Sequence, residues 1–197
     1  MESYLIITLI SLIIIFKYLN TSDVIYVEFF NFKTKKNKKY LVRDVDDKKD
    51  AIKTLLTIEE ALKSLIEKIL SNENIKHHQM YRYMLNIQDK IDSVEIQESS
   101  SDSIHTSYSI NKGETLVFCL RSKKTGKIHD LNDLLYVAIH ELAHIGCPEV
   151  GHTDLFYEIN KFLINQAIQY NIYKYIDYNL NSREYCGMEL TVTVADN

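Results

Sequence analysis

Tryptophan is absent from this chain and proline occurs once, while Ile, Lys, Asn and Tyr are abundant, a bias of the kind AT-rich coding produces and from which no chemistry follows. Cysteine is scarce as well. Cys119, Cys147 and Cys186 are odd in number and form neither a disulfide framework nor a CxxC metal site by spacing, which favours a reducing compartment. A basic excess is missing: Lys+Arg 23 against Asp+Glu 27 gives a net charge of −4 and a pI near 6.0. That argues against a general grip on nucleic acid, which wants a clustered basic face. No Lys or Arg precedes the N-terminal apolar run, only Glu2, and no small-x-small cleavage site follows it, so a cleaved signal peptide fits poorly. At 197 residues and 46% hydrophobic content the chain can bury one good core, with no room for a second domain of useful size.

What is present begins with a run from Tyr4 to Phe16 that is apolar except at Thr8 and Ser11 and continues to Leu19 past Lys17. As a helix these sixteen residues span about 24 Å. That is slightly short of a ~30 Å bilayer core, but Lys17 can snorkel and Tyr4 and Tyr18 can sit at the interfaces. Residues 1–19 therefore read as a membrane anchor, with a buried core helix as the alternative. Lys17, Lys33, Lys35, Lys36, Lys38 and Lys39 all follow the run, so the positive-inside rule leaves residues 20–197 in the cytosol.

The most specific signal is His140-Glu141-Leu142-Ala143-His144, an HExxH string. Apolar residues at 131, 134, 135, 138, 139 and 142 make the stripe of a half-buried helix, with Asp130 or Asn132 to cap its start and Gly146, followed by Pro148, to stop it. Positions i and i+4 lie one above the other on a helix, so both imidazoles project from one face where a single Zn²⁺ can bridge them. Glu141 sits between, where a carboxylate can take a proton from a water. A catalytic zinc takes three protein ligands. His152, after the turn-forming Gly151 and before an amphipathic stretch from Thr153 to Tyr170, is the first choice for the third; Glu158, Glu149 and Cys147 are the alternatives.

The stretch from Leu135 to Phe162, LYVAIHELAHIGCPEVGHTDLFYEINKF, resembles the WLM family of zinc metallopeptidases, relatives of the SprT/Spartan-type proteases, and within it members found in large DNA viruses and protists. In that family HExxH is followed by a short loop, a third His and an aromatic. The resemblance implies His140, His144 and His152 as zinc ligands, Glu141 as general base and Phe156 or Tyr157 as the aromatic; the loop between the second and third His is longer here than the typical pattern. It also implies an α+β, zincin-like fold: a small mixed β-sheet packed on the HExxH helix and supporting helices, here behind an N-terminal hydrophobic helix. The activity implied is hydrolysis of peptide bonds in a protein or peptide substrate by a zinc-activated water. In zincins a free sheet edge near the active-site helix binds the substrate by main-chain pairing, and Thr115 to Arg121 is the candidate for that region.

The rest of the chain reads as support. Residues 24–30 and 40–43 form a hairpin around a Lys/Asn-rich turn, 51–70 a long amphipathic helix, and 75–91 a second helix in which His77 and His78 point about 100° apart and make a poor joint metal site. Strand-like runs at 108–110 and 115–121 flank Asn111-Lys112-Gly113. Near the end, Tyr185 can donate to a developing oxyanion or be an ordinary half-buried tyrosine, and Met188 can occupy a Met-turn. Two other functions stay open: a zinc hydrolase of a non-protein substrate, and a membrane-tethered interaction protein whose zinc site is structural or vestigial, with Cys147 filling the fourth position.

Overall fold

The computed structural model describes residues 23–31 and 35–195 of the 197. The apolar run expected to form an N-terminal helix lies outside the described residues, and among those described no helix is long and apolar enough to cross a membrane. The fold is mixed α+β, with four α-helices and small sheets among the described residues. Strands β1 (Val24–Asn31) and β2 (Lys36–Arg43) form the expected antiparallel hairpin, which turns Tyr40 and Val42 into the core. Helix α1 (Lys48–Ser71) buries Ala51, Ile52, Leu55, Ile58, Leu62, Leu65, Ile66 and Ile69, the three-and-four spacing of a single apolar stripe.

The helix expected over 75–91 is instead broken. Asn72 caps a 3₁₀ turn (Glu73–His77) by accepting from the Asn74 amide at 3.1 Å, and His78 Nδ1 accepts from Met80 N at 3.2 Å. These side chains take backbone donors that a continuous helix needs, so α2 starts only at Tyr81 and runs to Ile91. His77 and His78 are exposed, as expected, and His78 stacks on Phe162.

A three-stranded sheet has the order β3-β5-β4: β3 (Glu95–Glu98) runs parallel to β5 (Thr115–Phe118), and β4 (Tyr108–Ile110) runs antiparallel to it. All four residues of β5 are buried, as a central strand requires. The expectation that 115–121 offers a free edge is therefore corrected. Two neighbours take its backbone groups, and the edge strands of this sheet are β3 and β4. A buried ion cluster fastens this sheet to the hairpin. Arg121 Nε donates to Glu98 at 2.8 Å and its Nη1 to Asp47 at 2.6 Å, while Glu98 also accepts from the Arg43 amide at 2.8 Å.

Helix α3 (Leu131–Gly146) carries the HExxH residues and is capped by Asp130, which accepts from Asn132 N at 2.9 Å. Gly146 is the last residue of α3, where the sequence placed the stop, and extended Cys147 follows it. The glycine's missing side chain serves packing: a Cβ there would meet Ile87 of α2 at 3.0 Å. Helix α4 (Asp154–Gln169) packs on α3, and a C-terminal hairpin of β6 (Arg183–Tyr185) and β7 (Met188–Leu190) closes the domain.

A second correction concerns cysteine. Cys119 and Cys186 form a disulfide across 67 residues of sequence, with a Cα–Cα distance of 6.0 Å, and Cys147 alone is free. No pattern in sequence marks the pair, because β5 and the β6–β7 turn meet only in the fold. The cysteine argument for a reducing compartment falls with it. Unfolded without reductant, the protein is expected to show a single thiol to a chromogenic disulfide reagent, and all three after reduction. Closing so long a loop stabilises by about 4 kcal/mol at the chain-entropy limit, so reduction should lower the melting temperature. Three reactive thiols before reduction would contradict the pairing.

Candidate metal centre

One helical turn on α3 sets His140 above His144, and both are half-buried. The chain then leaves the helix through Cys147 and Pro148, turns at Gly151 in the left-handed region (φ +85), and brings His152 back over the helix. Thr153 caps α4 immediately after it by accepting from Phe156 N at 3.3 Å, which fixes where the loop ends. The loop's other side is tied down by Lys112, whose ammonium donates to the Pro148 carbonyl.

The three imidazoles converge. One ring nitrogen from each lies within 4.8 Å of the others, and the Nε2 atoms of His140 and His152 are 3.0 Å apart. Nitrogens bound ~2.0–2.1 Å from a tetrahedral zinc lie about 3.3 Å apart, so small ring movements suffice, and the donor set suits zinc. Phe156 supports the cluster from α4: its ring stacks on His144 at 4.2 Å and meets His140 at 4.9 Å. Tyr157, the other aromatic considered, is half exposed at the rim. Glu149 and Glu158 are exposed and Cys147 is buried; none of them joins this cluster, the one three-ligand group among the described residues.

Burial sets the protonation states. Desolvation, with the neighbouring imidazoles adding to it, pushes His140 down to about 3 and His144 down to about 4, so both are neutral with a lone pair free. The same desolvation pushes the Glu141 carboxyl up to about 7. Neutral ligands beside a carboxyl that titrates near neutrality are a functional combination more than a stabilising one.

These residues form part of the wall of a cleft of about 830 Å³. The lining includes β4 with the preceding Thr106 and Ser107, and the C-terminal segment from Met188 to Val194, held by Tyr136, whose hydroxyl donates to the Val192 carbonyl at 2.8 Å. Tyr185 lies in the wall, 3% exposed, with its hydroxyl 2.6 Å from Ser107 Oγ. Burial, and secondarily the charge of Glu141, raise its pKa above the ordinary phenol value. Sequence reasoning missed Ser107, the disulfide that holds the Tyr185–Cys186 turn to β5, and Asn160 in the cleft wall; none belongs to a local pattern.

The geometry defines an HExxH-type, three-histidine candidate metal centre in a mixed α+β domain. The chain belongs to the family of the uncharacterized protein R325 of Acanthamoeba polyphaga mimivirus, with which it is 38% identical over 197 residues, covering 95% of this chain and 96% of that protein. Shorter matches are to uncharacterized protein 042R of Invertebrate iridescent virus 3, 38% identical over 89 residues (45% of this chain, 50% of that protein), and to uncharacterized protein 136R of Invertebrate iridescent virus 6, 35% identical over 92 residues (46% and 48%). No family model matches the chain. Among solved structures, Wss1 from Saccharomyces cerevisiae aligns with 46% of this chain and 73% of its own at 19% identity and a TM-score of 0.36.

The pKa shifts have opposite consequences for the metal-free protein. His140 and His144 bind protons more readily when unfolded, so acidification below about 6.5 costs stability. Glu141 binds its proton more readily when folded, so it contributes stability on acidification from about 7 towards 4.5. Between pH 6.5 and 4.5 two histidines oppose one glutamate. In chelator-stripped protein, Glu141→Gln removes the opposing contribution and should lose stability on acidification more steeply than wild type, by on the order of one kcal/mol per pH unit. Parallel denaturation profiles against pH would refute the assignment.

Proposed function

We propose that this chain is a zinc-dependent metallopeptidase of the WLM type that hydrolyses peptide bonds, with His140, His144 and His152 as the metal ligands and Glu141 as the general base. The observation that carries the reading is the convergence of three imidazoles beside a buried carboxyl raised to about 7, at the wall of an open cleft. When bound, zinc supplies a Lewis acid that polarises a carbonyl and lowers the pKa of a water. Glu141 would take the proton of the attacking water and return it to the leaving amine, and a carboxyl titrating near neutrality can do both.

The open edge of β4 lies along the cleft, so an extended peptide pairs there by its main chain. Tyr185 donates to the developing oxyanion. Ser107 Oγ already accepts from Cys119 N at 3.2 Å; when its own hydroxyl donates to Tyr185, the phenol proton is left for the substrate. The structural-site alternative requires a fourth protein ligand, and Cys147, its candidate, is buried away from the histidine cluster. That favours the catalytic reading.

The test is metal content by mass spectrometry beside cleavage of casein and fluorogenic peptides. Wild type should hold about one zinc and cleave. Glu141→Gln should hold the same zinc and lose at least about a hundredfold in turnover; His140→Ala should lose both. Zinc retained by His140→Ala, or turnover retained by Glu141→Gln, would overturn the assignment. A zinc-loaded wild type that cleaves no peptide would favour the hydrolase of another substrate.

A further inference from the structure

Helix α4 buries Phe156, Ile159, Leu163, Ile164 and Ala167, an apolar stripe, and in its midst Asn160. Asn160 is 2% exposed, and its Oδ1 is buried without a hydrogen-bond partner among the described residues. An amide in that position costs stability that Leu or Ile would not, because burying an unpaired carbonyl forfeits its hydration. Asn160 sits one turn beyond Phe156, the residue under the histidines, and it forms part of the wall of the cleft together with Tyr136 and Val137, which lie one turn before His140 and Glu141 on α3. Val192 and Val194 bring the C-terminal segment to the same cleft, and the Tyr136 hydroxyl is already engaged with the Val192 carbonyl. The result is a wall of aliphatic and aromatic surface that includes Asn160, whose unpaired Oδ1 is itself buried; Ser109 Oγ, on the β4 side of the cleft, is likewise unpaired among the described residues.

We propose that Tyr136, Val137, Asn160, Val192 and Val194 form a side-chain subsite of the cleft that selects tyrosine in an extended peptide. The apolar wall covers the ring, and the hydroxyl donates to Asn160. Phenylalanine fills the same space but leaves the acceptor unpaired. A lysine ammonium would lose its water to a neutral amide and hydrocarbon, a poor exchange for a charge. The inference rests on the peptidase reading for why a peptide enters the cleft, but it concerns binding and can be tested apart from turnover.

The experiment uses the full-length, zinc-loaded Glu141→Gln protein and fluorescent extended peptides in which each position in turn is Tyr, Phe or Lys, with affinity read by anisotropy. Pairing an otherwise unpaired buried acceptor is worth roughly tenfold or more. At one peptide position Tyr should therefore bind at least about tenfold more tightly than Phe or Lys, and adding Asn160→Leu should bring the Tyr-to-Phe ratio to about one with zinc content unchanged. Equal affinity for Tyr and Phe at every position, a ratio that survives Asn160→Leu, or no binding of any peptide would overturn the proposal. The ratio measured with Asn160 intact decides the matter even if Asn160→Leu does not fold. Selective binding by a protein whose wild type cleaves nothing would retain the subsite and overturn the peptidase reading; cleavage without a preference for Tyr would do the reverse.

Discussion

The centre depends on one constraint: the chain must leave α3 immediately after His144 and return within a few residues to place a third imidazole over the same turn. A helix supplies two ligands by its repeat alone. The third has to be delivered by a loop, and several unrelated contacts share that task. α3 ends at Gly146, which also packs closely on Ile87 of α2, Gly151 turns where a side chain is disfavoured, Thr153 starts α4, and Lys112 holds the Pro148 carbonyl. Phe156 then fills the space beneath His140 and His144.

Desolvation is the second common cause, and it acts on two residue types in opposite directions. Excluding water from α3's inner face favours the uncharged form of every group on it, which lowers the histidines and raises the glutamate. A metal ligand must be neutral, and a carboxylate becomes a better proton acceptor as its pKa rises toward neutrality, so a single environment suits both kinds of group. The walls of the cleft are built differently. The disulfide between Cys119 and Cys186, the Ser107–Tyr185 hydroxyl pair and the Tyr136–Val192 bond hold a short C-terminal segment against the sheet and α3, a segment whose own hairpin has only three residues per strand.

Much of this was legible in sequence where the signal is local. The stripe at 131, 134, 135, 138, 139 and 142 marked α3, HExxH marked two imidazoles and a carboxylate on it, and Gly151-His152 marked the returning loop. The first hairpin and α1 followed from period and turn chemistry. What escaped was non-local or competitive. The β3-β5-β4 order puts β5 in the middle and β4 on the edge, and strand order has no local signature. The disulfide joins residues 67 apart. The helix expected over 75–91 breaks because Asn72 and His78 take backbone donors, a contest that periodicity does not register. Gly146 ends α3 as expected, but its contact with Ile87 of α2 has no local signature.

The central claim is an open three-histidine site, and zinc K-edge X-ray absorption on the metal-loaded protein tests it most directly. The account predicts only nitrogen and oxygen neighbours at about 2.0–2.1 Å, with outer-shell scattering from three imidazole rings. A sulfur neighbour at about 2.3 Å, which only Cys147 among the described residues can supply without reduction of the disulfide, or scattering from two rings alone, would contradict it.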